Sequence, residues 1–171
     1  MIRNATISDS EPIATALWDI WHQYKVRQIP SPMHRYASSE ALAEDIRHDL
    51  DRWLVCEPAG FFSLIPAGDD KAYKRLQFPR RTMRIENFAC LLSGEILSHQ
   101  LRLLATHLPQ PSILLVIPSS LRDIHWAALQ AGFRQLGDGS LIVGAFVWLY
   151  LDRQDSHDAI QTKLRRAKII A

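Results

Sequence analysis

A chain of 171 residues is long enough for one ordinary domain whose core needs neither disulfides nor a structural metal. Apolar residues make up 47% and charged residues 22%, which excludes wholesale disorder and fibrous architectures. The net charge of +2 hides a segregation. Lys71, Lys74, Arg75, Arg80, Arg81 and Arg84 fall in one acid-free window, and Lys163, Arg165, Arg166 and Lys168 in another. All 18 acids lie outside the two windows, a distribution that can steer an acidic partner.

The elements follow in chain order. Ile2 to Ile7 reads as a short strand, and Ser8-Asp9-Ser10 offers caps for a helix with Glu11 and Pro12 in its first turn. Ile13, Leu17, Ile20, Trp21 and Tyr24 recur at helical spacing and should face inward. Pro30 and Pro32 should end that helix and hold residues 31–36 in a loop. A second helix is expected after Ser38-Ser39, with Leu42, Ile46 and Leu50 on one face. Strands over 52–57 and 61–66 are joined through Pro58-Ala59-Gly60, and the basic loop then leads into a strand over 82–91. Gly94 marks a turn, and Glu95 opens a helix burying Ile96, Leu97, Leu101, Leu104 and Leu108. The continuous apolar run 113–117 is the pattern of a strand covered on both faces. Ser119 or Ser120 should cap a further helix that ends at Gly132, and a turn over 137–140 leads to a last strand through Tyr150. Alternation of this kind predicts an α/β (α+β) sandwich, with helices on both faces of one sheet.

Several classes are expected to be absent. Cys56 and Cys90 lie in apolar runs, make no disulfide framework and fit a reducing compartment. The other histidines stand apart from His34 with no ligand spacing, so no metal site is expected. No apolar stretch is long enough for a helix to span a bilayer, and the basic windows lack the interleaved aromatics of a nucleic-acid module. A cytoplasmic protein is expected.

Three segments carry a resemblance to a known family. Ile2-Arg3-Asn4-Ala5-Thr6-Ile7-Ser8-Asp9, Ile85-Glu86-Asn87-Phe88 and Ala127-Ala128-Leu129-Gln130-Ala131-Gly132-Phe133 resemble the first strand, central strand and last helix of the GNAT superfamily of N-acyltransferases. The element order matches over residues 1–152, read as a single domain, with 153–171 a basic C-terminal tail. The resemblance implies a mixed, mostly antiparallel central sheet and a thioester donor lying where that sheet splays. Two family features are missing. The loop that cradles the coenzyme A pyrophosphate, Gln/Arg-x-x-Gly-x-Gly/Ala, is here Cys90-Leu91-Leu92-Ser93-Gly94-Glu95, without a basic residue and with a carboxylate at the phosphate's place. The frequent general-acid Tyr, four residues before the Gly of Gly-Phe, is here Ala128.

A more distant resemblance, over residues 17–118, is to the toxin-activating lysine acyltransferases of RTX secretion systems. These take acyl groups from acyl carrier protein and need no pyrophosphate cradle. Ser31-Pro32-Met33-His34-Arg35, after a helix with Trp18 and Trp21, is similar to their Ser-Pro-Leu-His-Arg motif. Ile85-Glu86-Asn87-Phe88-Ala89-Cys90 is similar to their central strand, with Glu in place of the catalytic Asp. The resemblance implies that His34 is a base and Glu86 its partner, with acyl carrier protein favoured over coenzyme A as donor and an amine such as a lysine side chain as acceptor. No tightly bound cofactor is implied. Ser93 and Gly94 would offer N–H groups to the thioester, and the window from Lys71 to Arg84 would dock the acidic carrier. Each residue also has a plainer reading: His34 as a surface histidine capping the second helix, Glu86 as a strand residue paired with Arg84 or Arg52, Ser93-Gly94 as a turn. The alternative function is a GNAT-like binding or regulatory domain that has lost the chemistry.

Overall fold

The computed structural model describes residues 1–30, 36–57, 60–68, 78, 81–90, 94–110, 112–136 and 146–152. Its strands are β1 (Ile2–Asn4), β2 (Trp53–Cys56), β3 (Gly60–Pro66), β4 (Thr82–Cys90), β5 (Ser112–Pro118), β6 (Arg134–Gln135) and β7 (Phe146–Asp152). Its helices are α1 (Ser10–Val26), α2 (Ser39–His48), α3 (Gly94–His107) and α4 (Arg122–Gln130), and a 3₁₀ turn over Ile7–Asp9 leads into α1. The strands form one sheet in the order β1-β2-β3-β4-β5-β7-β6. Every neighbouring pair is antiparallel except β4 with β5, which are parallel and joined through α3.

Alternation along the strands sorts the core into two faces. Phe62, Leu64, Ile85, Phe88, Ile113, Leu115 and Ile117 pack with Leu97, Leu101 and Leu104 of α3 and Ala127 and Ala128 of α4. Trp53 and Phe61 point the other way, against Ile13, Ala14 and Leu17 of α1 and Leu42 and Ile46 of α2. Leu114 and Val116 of β5 also face that side, beyond the helices, where Phe78 stacks on Trp148 and Tyr150 at 6.4 and 6.0 Å. All of β5 is therefore buried, as its continuous apolar run predicts. Truncating a side chain such as Leu101, 1% exposed, would cost about 2–5 kcal/mol.

The helix faces follow their spacing, and Ser38 caps α2 by accepting from the Ala41 N–H at 3.2 Å. Several ends differ from expectation for local reasons. Asp9 does not simply cap α1. Its carboxylate accepts from Thr6 N and Oγ1 at 2.7 and 2.8 Å and takes both Arg3 guanidinium nitrogens at 2.8 Å, which ties β1 to the turn. That Arg3 pairing, working against partial burial, holds Asp9 well below the usual carboxylate range. The first helix stops at Val26, ahead of the prolines, because Gln28 adopts a left-handed φ of 55°. Leu50 lies beyond the end of α2 and is 60% exposed. Gly94 is the first residue of α3 rather than a turn before it. Leu121, not Ser119 or Ser120, stands at the start of α4, and no side chain caps that first turn. The two-residue strand β6 is too short to leave a signal in the sequence.

Candidate functional site

The site begins with a defect in β4. Ser63 opposes Asn87 and Leu64 opposes Ile85, so Glu86 is an extra residue in the strand, a β-bulge. A bulge bends its strand and increases the twist. The parallel ladder to β5 covers Thr82–Ile85 against Ser112–Leu115 and stops at the bulge. Beyond it, the C-terminal ends of β4 and β5 run on without pairing to each other. A crevice at the carboxyl ends of diverging parallel strands is where ligands enter α/β sheets.

On the α2 side of the bulge lies a partly buried polar network. Arg52 Nη2 donates to Glu86 Oε2 at 2.5 Å, and Arg52 Nη1 donates to Asp45 Oδ1 at 2.8 Å. The other oxygen of Asp45 accepts from the Tyr36 hydroxyl at 2.6 Å and from Trp53 Nε1 at 2.7 Å. Arg84 Nη2 stands 3.9 Å from Glu86 Oε1. Burial and then the Asp45 hydrogen bond hold the Tyr36 hydroxyl far above the ordinary tyrosine value, so it stays a donor. Burial alone would lower the Arg52 guanidinium, but its hydrogen bond to Glu86 and the neighbouring acids hold it above its ordinary value. Beside the bulge, Asn87 N and Nδ2 both reach Ser63 Oγ, at 3.1 and 2.8 Å. Its Oδ1 is buried and has no hydrogen-bond partner among the described residues.

The structure therefore places Glu86 in an ion pair with Arg52, the plainer of its two sequence readings. His34 and Ser93 lie outside the described residues, as do Lys71, Lys74, Arg75 and Arg80. Tyr36, two residues after His34, is pinned at both ends: its hydroxyl to Asp45, and its carbonyl to Trp18 Nε1 at 3.1 Å. Arg81 is exposed, with a left-handed φ of 73°. Arg84 corrects the docking set. It is 6% exposed, in the interior of β4 and facing Glu86, because side chains alternate along a strand and this one falls on a covered face. The sequence reading missed Asp45, whose place three residues after Leu42 puts a carboxylate on the buried face of α2.

At the open end of the crevice lies a cavity of about 330 Å³. Gln23, Tyr24 and Arg27 from the last turns of α1 form one wall, Phe88 the floor, and Leu121 to Ile124 at the start of α4 the other wall. Tyr24 is 7% exposed, and its hydroxyl makes no hydrogen bond among the described residues. Burial pushes that hydroxyl up to about 12, with Arg27 opposing, so it remains protonated across the neutral range.

No protein-family model matches the sequence, and no curated protein matches it. Solved structures do. A ribosomal-protein-S5-alanine acetyltransferase from Vibrio fischeri is 13% identical over 90% of this chain and 93% of that one, with a TM-score of 0.60. An N-acetyltransferase from Staphylococcus aureus Mu50 is 18% identical over 88% of this chain and 100% of that one, at 0.61. An aminoglycoside acetyltransferase in complex with coenzyme A is 15% identical over 98% of both chains, at 0.61. The chain has the GNAT fold.

On the GNAT frame both sequence departures can be located. Ala128 is 0% exposed inside the α3–α4 core, so no proton donor stands there, while the neighbouring Trp126 is 48% exposed. A Cβ on Gly94, at the start of α3, would lie 3.5 Å from the Asp123 carbonyl oxygen and 3.8 Å from the Trp126 ring. Glu95 adds an exposed carboxylate in the first turn of α3. One carbonyl oxygen, that of Asp123, lies near this helix start, Glu95 adds a carboxylate, and residues 90–95 hold no basic side chain. The first turn of α3 itself brings no cation to a pyrophosphate. Among them, no cluster could hold a metal ion, and no helix is long and apolar enough to cross a membrane.

Proposed function

We propose that the protein transfers an acyl group from a thioester donor to an amine, of which a lysine side chain is one case. The observation that carries this reading is the bulge at Glu86, which ends the β4–β5 ladder and opens the GNAT-type crevice onto the cavity. The amine nitrogen attacks the thioester carbonyl carbon, the C–S bond breaks, and the thiolate leaves. His34 takes the proton lost by the amine and Glu86 orients it, while N–H groups at Ser93 and Gly94 face the developing oxyanion. Acyl carrier protein is favoured over coenzyme A as donor. The start of α3, with Glu95 and no basic side chain, supports this, as does the run of cations before β4.

The test is thiol release with a panel of acyl carrier protein and acyl-coenzyme A thioesters, read by mass spectrometry of donor and acceptor. Turnover with the carrier thioester and little with acetyl-coenzyme A is expected. His34→Ala should cost about 10²–10⁴-fold in rate while the Tm stays nearly unchanged. Full activity in that variant would move the base elsewhere.

A second reading has its own support. Glu86 is already engaged by Arg52, and Ala128 offers no acid, which fits a GNAT-like binding or regulatory domain. Stabilisation by a donor thioester without turnover would favour it.

A further inference from the structure

The cavity at the mouth of the crevice has a composition that the acyl-transfer reading does not by itself require. At about 330 Å³ it lies at the small end of ligand pockets, so it suits a compact molecule. Its floor is apolar: Phe88 and Leu121 are buried, and Ile20 and Ile124 are half-buried. Its rim holds two guanidinium groups, Arg27 and Arg122, and one carboxylate, Asp123. The start of α4 also faces it. That nine-residue helix has no side-chain cap, so its first N–H groups and the positive end of its dipole are available to an anion. A second, independent feature points to a ligand. Tyr24 is 7% exposed and lines the cavity, and its hydroxyl makes no hydrogen bond among the described residues, so the donor is open to the cavity.

We infer that this cavity binds a small α-amino acid with an apolar side chain, and that such a molecule is the acyl acceptor. Its carboxylate is taken by Arg27, Arg122 and the uncapped start of α4, its ammonium stands near Asp123, and its side chain lies on Phe88 and Leu121. The Tyr24 hydroxyl donates to the carboxylate. A polycationic amine is disfavoured, because two guanidinium groups would meet it against one acid. The role as acceptor rests on the acyl-transfer reading; the binding site does not.

The experiment titrates the ¹⁵N-labelled full chain, with no donor present, with L-leucine, L-leucinamide and octanoate. Leucine should shift the amides of Phe88 and of residues 122–124. Leucinamide should bind about tenfold more weakly or worse, since a hydrogen bond to a charged group contributes about 1.5–3 kcal/mol. The double variant R27Q/R122Q should lose leucine binding by about tenfold or more. Tyr24→Phe, which removes one oxygen and leaves the ring in place, should weaken it severalfold at unchanged Tm. Equal affinity for leucine and leucinamide, tighter binding of octanoate than of leucine, or undiminished binding in Y24F would overturn the inference. So would the absence of any shift at millimolar leucine. Because no donor is present, these outcomes are separate from the thiol-release assay. Leucine binding without turnover on any donor would sink the transfer reading and leave the site standing.

Discussion

Asp45 holds three donors from three places in the chain: the Tyr36 hydroxyl, the Trp53 indole and the Arg52 guanidinium. Arg52 in turn links Asp45 of α2 to the bulge residue Glu86. Removing the hub would leave those donors without their acceptor in a partly buried site. Asp45→Ala should therefore lower the unfolding free energy by about 3 kcal/mol, as measured by urea denaturation. A loss under about 1 kcal/mol would mean that water replaces the lost acceptor. The Arg52–Glu86 pair is itself weak evidence for net stability, since the desolvation of both charges offsets their attraction. Its consequence is geometric: it fixes where the extra residue of β4 points.

Two helices end in the same way with different residues. At the end of α4, Gly132 N bonds to the Leu129 carbonyl and Phe133 N to that of Ala128, with Gly132 at φ 96°. At the end of α1, Gln28 N bonds to the Lys25 carbonyl and Ile29 N to that of Tyr24, with Gln28 at φ 55°. Both are Schellman ends, and the left-handed position suits glycine because a Cβ there approaches the following carbonyl. Opposite signs are expected for the two exchanges. Gln28→Gly should stabilise the fold by about 0.5–1 kcal/mol, the relief of strain exceeding the added freedom of the unfolded chain. Gly132→Ala should destabilise it by about 1–2 kcal/mol although a Cβ would meet no atom closer than Leu151 Cδ1 at 3.6 Å, because the cost lies in the backbone. Thermal unfolding of both variants measures this. The end of α1 also forms a wall of the cavity, so a changed cap there should be read together with leucine binding.

Over the whole sequence, two acid-free basic windows stand beside a remainder in which acids outnumber bases. If the first window docks a carrier protein, its effect is mainly on association rate and is screened beyond about 8 Å at physiological salt. Arg84, buried in β4, is not part of that surface, so the informative variant reverses Lys74, Arg75, Arg80 and Arg81 to Glu. Stopped-flow association with an acyl carrier protein at low salt should become slower and less salt-dependent, with the Tm of the variant little changed. Equal rates for both proteins would remove this docking surface and weaken the carrier-donor reading with it.

The sequence by itself determined the order of elements, their inward faces and some of their ends. Leu42 and Ile46 at one-turn spacing, the apolar run 113–117, the Ser38 cap and the Gly132 end are all set by neighbours a few residues away. Periodicity and capping are local, and so they can be read in one dimension. Only the tertiary structure decided the bulge at Glu86, the burial of Arg84 and the cavity. The bulge depends on the register of β4 against β3, which a one-residue slip would change. Arg52 and Glu86 are 34 positions apart, and the cavity joins Tyr24, Phe88 and Leu121 from three separate elements. Tyr24 reads as one more apolar position of α1, because nothing local distinguishes a ring packed in the core from a ring whose hydroxyl looks into a cavity. That distinction is made by the elements that close around it.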